Sequence, residues 1–103
     1  MTGGRSSKRK GDQGEREFCK LMGGERTYWQ PGQEAKPDLI DVPYLGRGEV
    51  KRRKDGWKQL YAWLAENDFL AVRADHKEWL ICIRAKDLKL LLEQMDELKK
   101  GVQ

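Results

Sequence analysis

Glycine and proline cut the stretch between residues 23 and 56 into pieces too short for helices. Gly23-Gly24, Pro31-Gly32, Pro43, Gly46, Gly48 and Gly56 each interrupt a regular element. Within the pieces that remain, the runs that favour extended backbone are about four to five residues long, and runs of that length read as strands. Residues 26–30 (Arg-Thr-Tyr-Trp-Gln) are rich in β-formers and predict the first strand. Residues 39–42 predict a second, closed by Pro43. A turn at 45–48 leads into a third over 49–53, which would pair with the second as an antiparallel hairpin.

The flanking regions follow a helical period. Phe18, Leu21 and Met22 recur at i, i+3, i+4, with Gly14 on the same face, and predict a helix over 10–22 that Gly23-Gly24 ends. Trp57, Leu60, Tyr61 and Leu64 form a stripe that predicts a helix over 57–67. Leu88, Leu91, Leu92, Met95 and Leu98 do the same for 85–100, with Gly101 as its stop. Between these helices, 69–74 and 79–84 read as strands joined by the polar turn Asp75-His76-Lys77-Glu78. Residues 1–9 are rich in Gly, Ser, Lys and Arg and predict a mobile basic arm. The expected order is α-β-β-β-α-β-β-α, an α/β domain over 10–103 in which helices cover the faces of a mixed sheet of about five strands.

With 103 residues there is room for one domain. Lys and Arg number 21 against 17 Asp and Glu, a net charge of +4 that alone singles out no partner. Its distribution is more telling, because Arg5, Lys8, Arg9 and Lys10 cluster near the start and Lys51, Arg52, Arg53, Lys54 and Lys58 cluster mid-chain. Cys19 and Cys82 form no CxxC pair, and His76 is the single histidine, too few ligands for a structural zinc site. The two cysteines are expected as buried free thiols in a reducing cytosol. With no apolar run of 18 residues, neither a membrane span nor a secretory signal is expected, and the expected compartment is cytoplasmic.

The residues that suggest chemistry are Asp38, which follows Pro37, and the group Glu49-Val50-Lys51. On a strand, alternate side chains share a face, so Glu49 and Lys51 would project together while Val50 turns to the core. Hairpin pairing would bring Asp38 beside Glu49. Two carboxylates so close repel, and a hard divalent ion such as Mg²⁺ relieves the repulsion with oxygen ligands. The Val50 carbonyl is a further ligand candidate. Such an ion polarises a phosphodiester and activates water, while Lys51 would offset the charge that develops on the phosphorus oxygens. A Glu-x-Lys pair alone is more often a solvated face; the preceding Pro-Asp at hairpin distance makes the chemical reading stronger.

Pro37-Asp38…Glu49-Val50-Lys51 resembles the signature of the PD-(D/E)XK nuclease superfamily. Residues 10–18, Lys-Gly-Asp-Gln-Gly-Glu-Arg-Glu-Phe, are similar to the first helix of archaeal-type Holliday-junction resolvases, and the likeness extends to about Arg84. The resemblance implies a restriction-endonuclease-like fold and a Mg²⁺-dependent endonuclease, with Mn²⁺ as a substitute ion. It places Glu15 in the metal site with Asp38 and Glu49. It matches Arg26 to a basic residue on the first strand and Gln59 to a glutamine after the catalytic lysine. Residues 30–36 replace a Ser- or Gly-rich loop of the resolvases, and Gln33 on that loop would touch the scissile strand. Compact virus-type replication-repair nucleases share the Asp, the Glu-x-Lys and the Gln.

Lys10, Arg16, Arg26, Arg52, Arg53, Lys54 and Lys58 are candidates for phosphate contacts, which set register without reading sequence. Trp29 and Trp57 are candidates for stacking on bases or for packing. The apolar surplus on the last helix, with Trp57, Tyr61 and Trp63, suggests a homodimer. The expected partner is DNA, branched by the nearest resemblance, with no small-molecule cofactor. Flaps, nicked or linear duplex DNA, and a non-catalytic DNA-binding module of the same fold, remain alternatives.

Overall fold

The computed structural model describes residues 3–27 and 37–101, with side chains from residue 11 onward. The loop carrying Gln33, the residue Trp29 and the side chain of Lys10 lie outside the described residues. The chain divides into two compact units, one ending at Lys54 and one beginning at Asp55. The first holds α1 (Gly3–Met22), β1 (Glu25–Arg26), β2 (Leu39–Val42) and β3 (Gly46–Gly48). The second holds α2 (Lys58–Leu64), β4 (Phe69–Val72), β5 (Leu80–Ile83) and α3 (Ala85–Gly101). The order is the one expected, and the protein is α/β.

The described strands pair as a three-stranded sheet, β1-β2-β3, and a two-stranded sheet, β4-β5, rather than as one mixed sheet of five. Every pairing in them is antiparallel. Short turns join β2 to β3 and β4 to β5, and a connection that short can only join antiparallel neighbours. No described helix is long and apolar enough to cross a membrane.

In the first unit, α1 packs on β1 and β2. It begins at Gly3 rather than near Lys10, so its first turns take in most of the stretch expected as an arm. Its covered face is Gly11, Gly14, Glu15, Phe18 and Met22, spaced i, i+3, i+4, i+7, i+11. Leu21, expected on that face, lies off it and is exposed. The helix stops where Gly23 N–H donates to the Cys19 carbonyl at 2.7 Å and Gly23 and Gly24 turn to φ 88° and 97°.

The core of this unit is Met22, Leu39 and Val42. Leu39 and Val42 are three residues apart, so in a regular strand they would face opposite ways. They are buried together because β2 carries a bulge. Leu39 pairs with Gly48 and Val42 with Gly46, so the strand fits one extra residue between the two pairs. Asp41 takes up the excess at φ 55°, a left-handed conformation that Asp tolerates better than most. It is exposed.

In the second unit, α2 packs on β4 and buries Leu64. It is shorter than the expected 57–67. Trp57 is its N-cap, in a left-handed conformation at φ 70° with no side-chain cap bond. The other end closes early because Asn67 N–H bonds the Leu64 carbonyl at 2.9 Å and the Asn67 side chain bonds that of Trp63 at 2.9 Å. In α3, Leu88 and Leu92 are half-buried, whereas Leu91, Met95 and Leu98 of the same stripe are exposed. Cys19 and Cys82 are free and half-buried.

Candidate functional site

The β2–β3 pairing assembles the candidate site. Since Leu39 faces Gly48, the register carries Asp38 to a position opposite Glu49. Asp38 is held there through its backbone carbonyl and through its side chain. Its carbonyl accepts from Thr27 N–H at 3.2 Å, and its Oδ2 accepts from Val50 N–H at 2.7 Å. Thr27 Oγ1 also donates to the Pro37 carbonyl. The carboxylate of Asp38 is thus clamped to the backbone of the Glu49-Val50-Lys51 segment, a charge-assisted bond of the stronger kind.

Residues 49–53, expected as the third strand, carry no ladder; that strand is the preceding Gly46–Gly48. The expected alternation persists nonetheless. Lys51 Nζ lies 3.3 Å from Glu49 Oε1, so those two side chains share a side, and both are more than half exposed. Val50 and Arg52 turn the other way, onto α1 at Gly14. A Cβ there would sit 3.4 Å from Arg52 Cβ and 3.5 Å from Val50 Cγ1, ordinary contact distances. Arg52 reaches on to Glu17 at 3.5 Å. This side of α1 therefore acts as the backing of the Glu49–Arg52 segment.

Glu15 does not join that group directly. It is nearly buried, and its Oε2 meets Arg26 Nε at 3.1 Å, while Arg26 Nη2 meets Asp12 at 3.1 Å. One guanidinium therefore bridges two acidic residues a helical turn apart, which relieves their mutual repulsion. Arg26, a candidate for phosphate contact, is engaged inside the unit and mostly covered. Among the described residues no three His, Cys, Asp or Glu side chains gather into a group that could hold a metal ion. Asp38, Glu49 and the Val50 carbonyl still suit Mg²⁺, which is bound by one or two carboxylates together with waters and substrate phosphate. By chemical type these oxygen donors match that ion, which needs no closed protein cage.

Of the remaining candidates, Arg16, Arg52, Arg53 and Lys54 are exposed in the first unit. Lys58 and Gln59 are exposed in the first turn of α2, in the second unit. Arg47, exposed on β3 between two glycines, was not among the sequence candidates. Its signal is the Gly-Arg-Gly triplet, in which the only side chain on a strand is cationic. Within the first unit lies a cavity of about 360 Å³, lined by the apolar Phe18, Leu39, Val42, Leu45 and Val50 together with Arg47, Glu49 and Lys51. Compared with protein-family models, with curated proteins and with solved structures, the chain finds no match.

Proposed function

We propose that the chain is a Mg²⁺-dependent endonuclease that hydrolyses DNA phosphodiester bonds at Asp38, Glu49 and Lys51. The observation that carries this reading is the 2.7 Å bond from Val50 N–H to Asp38 Oδ2, which ties the first acidic residue to the Glu-x-Lys segment. Asp38, Glu49 and the Val50 carbonyl would hold the ion, and Glu15 supports the site from α1 while bound to Arg26. When bound, the ion supplies Lewis-acid charge to the scissile phosphate and the attacking water. Lys51 Nζ, now 3.3 Å from Glu49, carries the fixed positive charge that would offset the developing charge on the phosphoryl oxygens. Arg16, Arg52, Arg53 and Lys54, with Lys58 and Gln59, would bind the DNA backbone.

The same reading takes the fold as restriction-endonuclease-like, of the PD-(D/E)XK kind. By resemblance to archaeal- and phage-type Holliday-junction resolvases, the substrate is branched DNA and the working form a homodimer. A non-catalytic DNA-binding module is the second reading. It is favoured by two ion pairs, Glu49 with Lys51 and Glu15 with Arg26, in which the acids already have cationic partners.

Labelled four-way junctions, flaps and linear duplexes incubated with Mg²⁺ or EDTA separate these readings. The expected result is cutting of branched DNA in Mg²⁺ alone, lost by more than about a hundredfold in Asp38→Asn and in Lys51→Ala, with DNA binding retained. Equal cutting of all forms would move the substrate to flaps or duplex. Tight binding without cutting would select the non-catalytic module, and full activity in Asp38→Asn would remove that residue from the centre.

A further inference from the structure

The cavity beside Glu49 and Lys51 has a cause in the sequence. Gly48 stands opposite Leu39 and Gly46 opposite Val42. Paired residues of neighbouring strands point to the same face. On this face β2 therefore presents two buried aliphatic side chains and β3 presents none. A Cβ at either glycine would meet no heavy atom within 4 Å. Interiors are normally filled to crystal-like density, and glycine inside a strand often marks close approach by a ligand. At about 360 Å³ the space falls within the range of small-ligand pockets.

The lining narrows what fits. The lining is mostly apolar and includes Phe18, whose ring favours a flat ligand with a π-face. It also holds two cations, Arg47 and Lys51, against one acid, Glu49, which is paired with Lys51, and that excess of positive charge favours an anion joined to the ligand. A nucleobase attached to its phosphate has both parts. We propose that this cavity takes the base of one unpaired nucleotide, seating its phosphate toward Arg47 and Lys51. The inference rests on the nuclease reading for its choice of nucleic acid, and it names the substrate class of that same site. A paired base must first be unstacked and extruded, whereas an unpaired one enters at little cost. The pocket thus selects flaps, bulges and branch points over intact duplex without reading base sequence.

Binding is measured by fluorescence anisotropy in EDTA, so that no cutting is needed. The probes are labelled duplexes carrying a one-nucleotide bulge, either with its base or abasic. The intact protein is expected to bind the base-containing bulge about tenfold more tightly, the scale of one stacked base. Gly48→Leu should bring that ratio close to one, because its backbone is not left-handed and the new side chain has open space to enter. Competition by deoxyadenosine monophosphate, but not by deoxyribose 5-phosphate, is the matching result on the unmodified chain. Equal binding of both bulges by the intact protein would overturn the proposal, as would a ratio unchanged in a folded Gly48→Leu. Cutting of the same strands in Mg²⁺ is scored separately. Base preference without cutting keeps the pocket and removes the enzyme, and cutting without base preference does the reverse.

Discussion

Gly24 is held by two constraints at once. Its φ of 97° is one that side chains rarely adopt, and a Cβ there would stand 2.6 Å from Val42 Cγ2 and 3.0 Å from the Ile40 carbonyl oxygen. Gly46 has only the first constraint, with φ 84° and open space around a Cβ. The pair therefore separates backbone strain from crowding. Gly46→Ala should cost about 1 kcal/mol, the strain alone. Gly24→Ala should cost about 2–4 kcal/mol, strain plus overpacking against the core. By thermal melting followed by circular dichroism, Gly24→Ala should lower the midpoint by roughly 10 °C or more. Equal losses at the two positions would mean that α1 shifts away from β2 without resistance. The site residues depend on the same contact, because Val42 and Leu39 carry the strand that Asp38 enters.

At the level of elements, α2 is held at its C-terminal end by a residue from another element. Arg84, between β5 and α3, donates from Nη2 to the carbonyls of Leu64 at 2.8 Å and Ala65 at 3.1 Å, and from Nη1 to that of Asn67 at 2.9 Å. A helix end leaves its last carbonyls without partners and is negative in field, so a cation there serves on both counts. Arg84→Met should destabilise the second unit by about 1–3 kcal/mol, read as faster hydrogen exchange across α2. Arg84→Lys should recover less than half, because one ammonium cannot span three carbonyls. Exchange in α2 unchanged by Arg84→Met would mean that packing of Leu64 alone holds the helix. The order of elements was legible in advance because the stripes and breaks are local. The third strand was misplaced because its Gly-Arg-Gly core lacks any β-forming residue, while the β-former Val50 drew the expected start three residues late. The pairing that brings Asp38 onto the backbone of the Glu49–Val50 segment was legible from hairpin spacing. The Asp12–Arg26–Glu15 bridge, the bulge at Asp41 and the cavity were not, since each depends on register between segments and no single run of residues encodes it.

For the molecule as a whole, the stretch between β3 and α2 contains the strongest run of one charge. Lys51, Arg52, Arg53 and Lys54 are all exposed there, and the boundary between the two compact units falls immediately after Lys54. A net charge of +4 is modest, so attraction to DNA should come from this local run and weaken steeply with added salt. The same features make the run a tryptic target, because its backbone is outside any helix or strand and its side chains are the ones trypsin reads. Limited trypsin digestion with mass spectrometry should therefore cut within residues 51–54 of the free protein. DNA added in EDTA at about ten times its dissociation constant should slow those cuts about tenfold, the fraction left unbound. Lys99 and Lys100, at the end of α3, serve as the internal control. Protection confined to residues 51–54 would put the DNA on the candidate centre. Equal slowing at Lys99 and Lys100 would mean that DNA acts on the protease or covers the chain indiscriminately, and the basic run would lose its claim to be the DNA-binding segment.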